Sequence, residues 1–81
     1  ADPAAARPLA ALLEQQGLAS NACVKLTEKP ERLRGKGGLT QLLLARALYR
    51  CGDYKGIGKQ VLETYARDLR GPIADHARMI L

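Results

Sequence analysis

Apolar residues between Leu39 and Cys51 occupy almost the whole circumference of one predicted helix. Only Arg46 and Arg50, which are one helical turn apart, form a polar strip along it. A helix that is apolar on nearly all sides must be packed on several sides. We therefore expect this segment, which Gly52 ends, to be the central element of the fold.

Two more helices are predicted from apolar spacing and from the positions of proline and glycine. One starts at Pro8 and ends at Gly17, because proline suits the first turn of a helix and glycine the position just after its end. The other follows a turn at Asp53 to Gly58 and is ended by Gly71. Its buried stripe, at i, i+4 spacing, is expected to comprise Ile57, Val61, Tyr65 and Leu69.

A last helix is predicted to open at Pro72 and to run to Leu81. Its buried face should contain Ile73, Ala77 and Ile80, with Asp75 and Arg78 directed outwards. Only Ala22 to Leu26 alternates like a strand, and a lone strand has no sheet to join. The sequence thus predicts an all-α fold, a small array of three to four helices in a single domain spanning residues 1–81.

Residues 18–38 are predicted to form an irregular basic connector, with one helical turn around Glu28 to Leu33, because glycines and Pro30 interrupt any helical period. The connector contains five positive charges within twelve residues, at Lys25, Lys29, Arg32, Arg34 and Lys36. Together with the backbone N–H groups of Gly37 and Gly38, these residues are a candidate binding site for phosphate or sulfate. The alternative is a solvated loop whose glycines ease entry into the central helix.

The charge and composition of the chain are compatible with several classes of acidic partner and do not identify one. The 81-residue chain has a formal net charge of +5, which attracts phosphate groups, acidic proteins or nucleic acid. No aromatic residue interleaves with the basic cluster, and the P-loop spacing is absent, which disfavours base stacking and nucleotide binding. Neither a membrane-spanning run nor an intact signal peptide is visible.

The reactive side chains suggest no catalytic or metal site. Cys23 and Cys51 are interpreted as two separate core thiols or, alternatively, as a disulfide. His76 is the single histidine and has no neighbours at the spacing of metal ligands. No two carboxylates share an apolar helix face, so no catalytic residue, metal or cofactor is assigned, and we expect no catalysis by this chain alone.

The C-terminal half contains a short internal sequence similarity. Ala45-Arg46-Ala47-Leu48 recurs 32 residues later as Ala77-Arg78-Met79-Ile80, at a period typical of stacked helix pairs. The segment from Leu43 to Asp53 resembles the first helix and the Gly-Asp turn of short HEAT-like repeats, with Ile57 to Leu69 as the second helix. Gly52-Asp53-Tyr54 also resembles the turn of a tetratricopeptide repeat. The resemblance covers residues 39–81, and the last helix would begin a further repeat that Leu81 cuts short.

Both repeat families imply binding of a protein partner, or bracing of a neighbouring domain, along one face of the stack. Our first hypothesis is therefore a non-catalytic helical interaction or scaffold module. Its expected partner-facing residues, which would favour acidic groups, are Arg46, Arg50, Tyr54, Lys55 and Lys59. The alternatives are an accessory helical segment of a larger enzyme, and anion or nucleic-acid binding through residues 25–36.

Overall fold

A computed structural model describes residues 2–81, and within that range it contains helices and no strand. A 3-10 turn at Pro3–Ala5 leads into five α-helices. They are α1 (Ala6–Gln15), α2 (Pro30–Arg34), α3 (Gly37–Arg50), α4 (Ile57–Tyr65) and α5 (Gly71–Ile80). The predicted all-α class is confirmed. The short α2 corresponds to the helical turn expected in the connector, so the count rises to five helices.

Helix α3 is the central element, as its apolar pattern indicates. It packs against α1, α4 and α5, and Leu42, Ala45 and Leu48 have no exposed surface. One strip of α3 stays uncovered, because Leu39 is 46% exposed and Leu43 is 36% exposed. The prediction of packing on nearly all sides therefore holds except along this strip.

Helix α1 covers one flank of α3. Its small and apolar residues Ala6, Ala10 and Leu13 are buried there at helical spacing. The helix ends at Gln15, and Gly17 takes the left-handed conformation, with φ of 90°. Glycine tolerates this conformation without a steric penalty, which explains the predicted stop at this point.

Helix α4 is shorter than the sequence indicates. It ends at Tyr65, and Leu69, which was expected in its buried stripe, is 44% exposed. The reason is Asp68, whose carboxylate accepts hydrogen bonds from the backbone N–H groups of Cys23 and Arg70, each at 2.9 Å. These bonds hold the chain in a turn after Tyr65, so Gly71 begins α5 instead of ending α4.

The turn between α3 and α4 combines positive φ angles with a side-chain cap. Gly52, Asp53, Lys55 and Gly56 all have positive φ. The Asp53 carboxylate accepts hydrogen bonds from the N–H groups of Gly58 at 2.7 Å and of Lys59 at 2.9 Å. It thereby caps the first turn of α4, and this cap offsets the strain of a non-glycine residue at positive φ.

Helix α5 closes the array against α3 and α4. Ala77 is fully buried, and Ile73 and Ile80 are half-buried, whereas Asp75 and Arg78 are exposed and form an ion pair of 3.1 Å. None of the helices in residues 2–81 is both long enough and apolar enough to cross a membrane. The shortest dimension of the Cα trace is 17 Å, so each helix keeps part of its surface near solvent.

Candidate functional site

Much of the basic connector is fixed by hydrogen bonds from charged side chains to backbone carbonyl groups. The Arg32 guanidinium donates to the carbonyl oxygen of Ser20 at 2.9 Å and forms an ion pair of 2.7 Å with Glu28. A third hydrogen bond, of 3.3 Å, goes to the carbonyl of Ala22. Arg32 therefore holds the connector in shape, in addition to contributing positive charge.

A buried ion pair joins the connector to the α4–α5 junction. Arg70 Nε lies 2.8 Å from Asp68 Oδ1, and the two side chains are only 13% and 0% exposed. Arg70 also donates to the carbonyl oxygens of Asn21 at 3.1 Å and Gly35 at 3.3 Å. One guanidinium thus bonds to the chain on both sides of α2.

The protonation equilibria of this pair follow from its surroundings. Burial by itself raises the pKa of Asp68, but hydrogen bonds from the Arg70 side chain and from the backbone N–H groups of Cys23 and Arg70 outweigh burial and lower that pKa. The hydrogen bond to Asp68 raises the pKa of Arg70. Both groups are therefore held in their charged forms.

A second buried polar cluster lies at the N-terminal end of α3. The fully buried Gln41 side chain accepts hydrogen bonds from the Asn21 N–H at 3.1 Å and from the Tyr65 hydroxyl, and it donates to Ser20 Oγ at 3.1 Å. Its amide also donates to the carbonyl oxygen of Gln16. Burial raises the pKa of Tyr65 well above the usual value, so this hydroxyl stays protonated and donates.

The residues expected to bind an anion do not form one site. Lys25, Lys29 and Arg32 line a hollow of about 570 Å³, which the hydroxyl-bearing Ser20 and Thr27 also line. Lysine ammonium groups next to hydroxyl groups are suitable partners for a phosphate. The Glu28 carboxylate, which is paired with Arg32, also lines this hollow, so Lys25 and Lys29 are its cations without a carboxylate partner in residues 2–81. We call it the connector hollow.

The remaining anion candidates lie elsewhere. Lys36 lines a different hollow, and Arg34 is exposed and lines neither. At the start of α3, Gly37 is exposed and Gly38 is buried, and a Cβ added at Gly38 would lie 2.8 Å from the Arg70 guanidinium. Of the expected anion-binding residues, Lys25, Lys29 and Arg32 are the ones that share a hollow.

A groove runs between α3 and α5 on the uncovered side of the array. It consists of two adjoining hollows of about 330 and 340 Å³ that share Pro72 and His76. We define the α3–α5 groove by six residues, Leu39, Arg46 and Arg50 of α3 and Pro72, His76 and Met79 of α5. The lining of the two hollows also includes Lys36, Arg70 and Asp75, so it combines apolar side chains with charged groups of both signs.

The apolar residues of the groove are unusually accessible. Met79 is 85% exposed, and Leu39, in the adjoining hollow, is 46% exposed. Across the groove, Arg46 Nη1 lies 3.1 Å from His76 Nε2 and donates to this nitrogen in the neutral tautomer that leaves it unprotonated. The groove thus offers a flexible methionine beside cationic hydrogen-bond donors.

Only two of the five expected partner-facing residues lie in this groove. Arg46 and Arg50 line it. The Tyr54 ring lies instead between two cations, with its centroid 5.9 Å from the Arg7 guanidinium and 5.4 Å from the Lys55 ammonium. Lys59 is exposed in the first turn of α4. The five residues thus divide between the groove and a separate surface around the α3–α4 turn.

Both cysteines are free thiols in the structure. Cys23 is buried, and its Sγ lies 3.5 Å from the carbonyl oxygen of Arg32, whereas Cys51 is half-buried at the end of α3. Residues 2–81 contain no group of three or more His, Cys, Asp or Glu side chains arranged to hold a metal ion.

Three residues of these sites, Met79, Asp68 and Arg70, were not among the predicted site residues. Met79 carried a usable signal, because it is a large apolar residue outside the predicted buried face of the last helix. Asp68 and Arg70 also carried a usable sequence signal, since Asp-x-Arg ahead of Gly-Pro is typical of a chain reversal. Their pairing with the connector, by contrast, has no local signature.

Comparisons with known proteins identify no relative of the chain. No family model matches it, and neither the curated proteins nor the solved structures contain a match.

Proposed function

We propose that the chain is a non-catalytic helical interaction module that binds a protein partner in the α3–α5 groove. The observation that carries this proposal is the exposure of Met79, at 85%, and of Leu39, at 46%, in two adjoining hollows that share Pro72 and His76. Apolar side chains that are exposed along a groove lower solubility and are typical of binding surfaces. Methionine suits such a surface because its unbranched, polarisable side chain adapts to different neighbours.

The geometry of the two helices supports docking of a protein segment. At about 100° per residue, Leu39, Leu43, Arg46 and Arg50 fall within about 60° of one another on α3. Pro72, His76 and Met79 form a facing strip on α5. Two such strips side by side resemble the grooves that accept an amphipathic helix.

The arrangement of α3, α4 and α5 also supports the helical-repeat interpretation. In stacked repeats, each new helix packs against both helices of the preceding pair. Helix α5 contacts both α3 and α4. Ala45 and Ala77, the first residues of the two similar segments, are both fully buried. A HEAT-like stack would place α5 as the first helix of the following unit.

Photo-crosslinking from the groove tests the proposed function. We would place a photoreactive amino acid at position 79 and, as a matched control, at the exposed Lys59 on α4. The expected result is a discrete adduct from position 79 in an extract of the source cells, with its peptide identified by mass spectrometry. The identified protein should then bind the purified chain in calorimetry, and Met79→Glu should weaken this binding at least about tenfold. Equal adducts from both positions, or unchanged affinity in the variant, would exclude the groove as the docking site.

The same experiment distinguishes the alternative of an accessory enzyme segment. If the adduct joins position 79 to a catalytic domain, the helices brace that domain, and Met79→Glu should lower the thermal stability of the pair. If the adduct joins it to a separate protein without catalytic function, the interaction module is favoured.

A second candidate function is anion binding in the connector hollow. The observation in its favour is that Lys25 and Lys29 share this hollow with Thr27 and Ser20. Titration with inorganic phosphate, followed by amide chemical shifts, tests it. Saturable shifts at these four residues that weaken with added salt and disappear in the Lys25→Ala/Lys29→Ala variant would support it. Shifts spread over all basic residues would contradict it, and the Lys55→Ala/Lys59→Ala variant is the control of equal charge.

A further inference from the structure

We propose that the occupant of the α3–α5 groove is an amphipathic protein helix whose acidic side chains pair with Arg46 and Arg50. This inference rests on the proposed function and specifies the chemistry of the partner. It depends on the distribution of charge, which is independent of the apolar exposure that supports docking.

Three of the arginines in residues 2–81 have a carboxylate partner, and five have none, namely Arg7, Arg34, Arg46, Arg50 and Arg67. Of these five, Arg46 and Arg50 are the ones that line the α3–α5 groove. Arg32, Arg70 and Arg78 each lie within 2.7, 2.8 and 3.1 Å, respectively, of a carboxylate oxygen. Within residues 2–81, Arg46 and Arg50 have no carboxylate within ion-pairing distance. The groove therefore contains two guanidinium groups that are available for carboxylates from outside.

The one side-chain partner of Arg46 within residues 2–81 is an imidazole nitrogen, His76 Nε2, which lies 3.1 Å from Arg46 Nη1. An arginine forms a stronger, bidentate bond with a carboxylate than with one imidazole nitrogen. A carboxylate supplied by a partner would therefore replace His76 as the acceptor. Asp75 lines the same hollow as Arg46 and Arg50, and its carboxylate is paired with Arg78, at 3.1 Å, and with neither of these two arginines.

The spacing of the two arginines suits a helix. Arg46 and Arg50 are one turn apart, so their side chains are neighbours along α3. Carboxylates at positions i and i+4, or i and i+3, of a helix lying along the groove have the same separation. Apolar residues on the adjacent face of that helix would meet Met79 and Leu39, which are exposed.

The lining of the groove favours a protein segment over a nucleic acid. Besides His76, the residues that line it between α3 and α5 include no aromatic side chain for base stacking. A nucleic-acid backbone would also leave Met79 and Pro72 against phosphates, without apolar contact. The net charge of +5 assists either acidic partner at long range, so it is the apolar lining that distinguishes them.

A helix-display selection tests the proposal. The probe is a library of single-helix peptides with randomised outward positions and no bias in charge, selected against the whole chain. We expect the selected peptides to carry Asp or Glu residues one turn apart beside leucine or another large apolar residue. They should perturb the Met79 methyl signal, and binding to the Arg46→Gln/Arg50→Gln variant should be at least about tenfold weaker. The control Lys55→Gln/Lys59→Gln, which has the same change in net charge, should bind them as the unmodified chain does.

The remaining outcomes overturn the proposal in distinguishable ways. Peptides that occupy the groove without acidic enrichment would refute the charge pairing and leave the docking function in place. Peptides that bind elsewhere, or a selection without binders, would refute both. A concentration-dependent dimer that shields Met79 in the absence of peptide would identify a second copy of the chain as the occupant. Arg50 is exposed and Arg46 is half-buried, and circular dichroism should show both glutamine variants folded.

Discussion

The connector and the α3–α5 groove use the same residue types in opposite ways. In the connector region, Arg32 and Arg70 are bonded to carboxylates and to backbone carbonyl groups within the chain. In the groove, Arg46 and Arg50 have no carboxylate partner in the structure of residues 2–81. The first pair holds the connector in place through hydrogen bonds that regular secondary structure would otherwise provide. The second pair is available to bind carboxylates from outside the chain. Positive charge alone therefore does not identify a binding surface, and the satisfied and unsatisfied arginines have to be separated first.

The largest expected effect distinguishes an internal arginine from an exposed one. Arg70→Ala should lower the free energy of unfolding by about 3 kcal/mol, because it leaves the buried Asp68 carboxylate without its counter-charge. Arg50→Ala should change it by less than about 0.5 kcal/mol, since Arg50 is exposed. Urea denaturation of both variants provides the comparison, and equal losses would refute the division between the two regions.

Acidification should remove part of the same stabilisation. Because the pKa of Asp68 is lower in the folded protein than in the unfolded chain, the ion pair stabilises the fold fully at neutral pH. That contribution should decline as the pH falls below about 4, the ordinary value for aspartate, and through the lower folded pKa. Denaturation midpoints measured between pH 7 and pH 2 check this, and Asp68→Asn should flatten the profile. An equally steep decline in Asp68→Asn would assign the acid sensitivity to other carboxylates.

A smaller effect is expected at the α3–α4 turn, where another carboxylate bonds to the backbone. Asp53→Ala should lower the free energy of unfolding by about 1 to 2 kcal/mol, because it removes the cap of α4 and places alanine at positive φ. Asp53→Asn should cost less, since asparagine accepts hydrogen bonds and tolerates this conformation. The exposed Asp75→Ala is the control, and thermal melts of the three variants test the ranking. A loss in Asp53→Asn as large as in Asp53→Ala would show that the charge, and not the conformation, is what matters.

The smallest predicted effect concerns the buried hydroxyl of Tyr65. Tyr65→Phe should cost about 1 kcal/mol, because Gln41 loses one hydrogen-bond donor and keeps its bond from the Asn21 N–H. Tyr49→Phe is the matched control, since Tyr49 is half-buried and its hydroxyl makes no hydrogen bond recorded in the described range. Chemical denaturation of the two variants checks the difference. A stability change of the same size in Tyr49→Phe would indicate that the hydroxyl bond contributes little.

The helices of residues 37–81 were largely predictable from local pattern. Apolar spacing located α3, α4 and α5, and Pro72 marked the start of the last one, because these signals act within a few residues. The end of α4 was wrong, since the apolar stripe continues to Leu69 while the hydrogen bonds of Asp68 divert the chain. A periodic pattern cannot register a competing bond from Cys23, a residue 45 positions away.

Local sequence therefore determined the fold class, the central position of α3 and the identity of the polar strip at Arg46 and Arg50. The packing of the helices decided which cations remain available, because it brings Asn21, Gly35 and Asp68 around Arg70 while placing only His76 beside Arg46. It also decided that Met79 and Leu39 share one groove. Hydrogen bonds act over a few ångströms in space. Asp68 is two positions from Arg70, but the other residues joined here, Gly35 and Asn21 to Arg70 and His76 to Arg46, are separated by 30 to 49 positions along the chain.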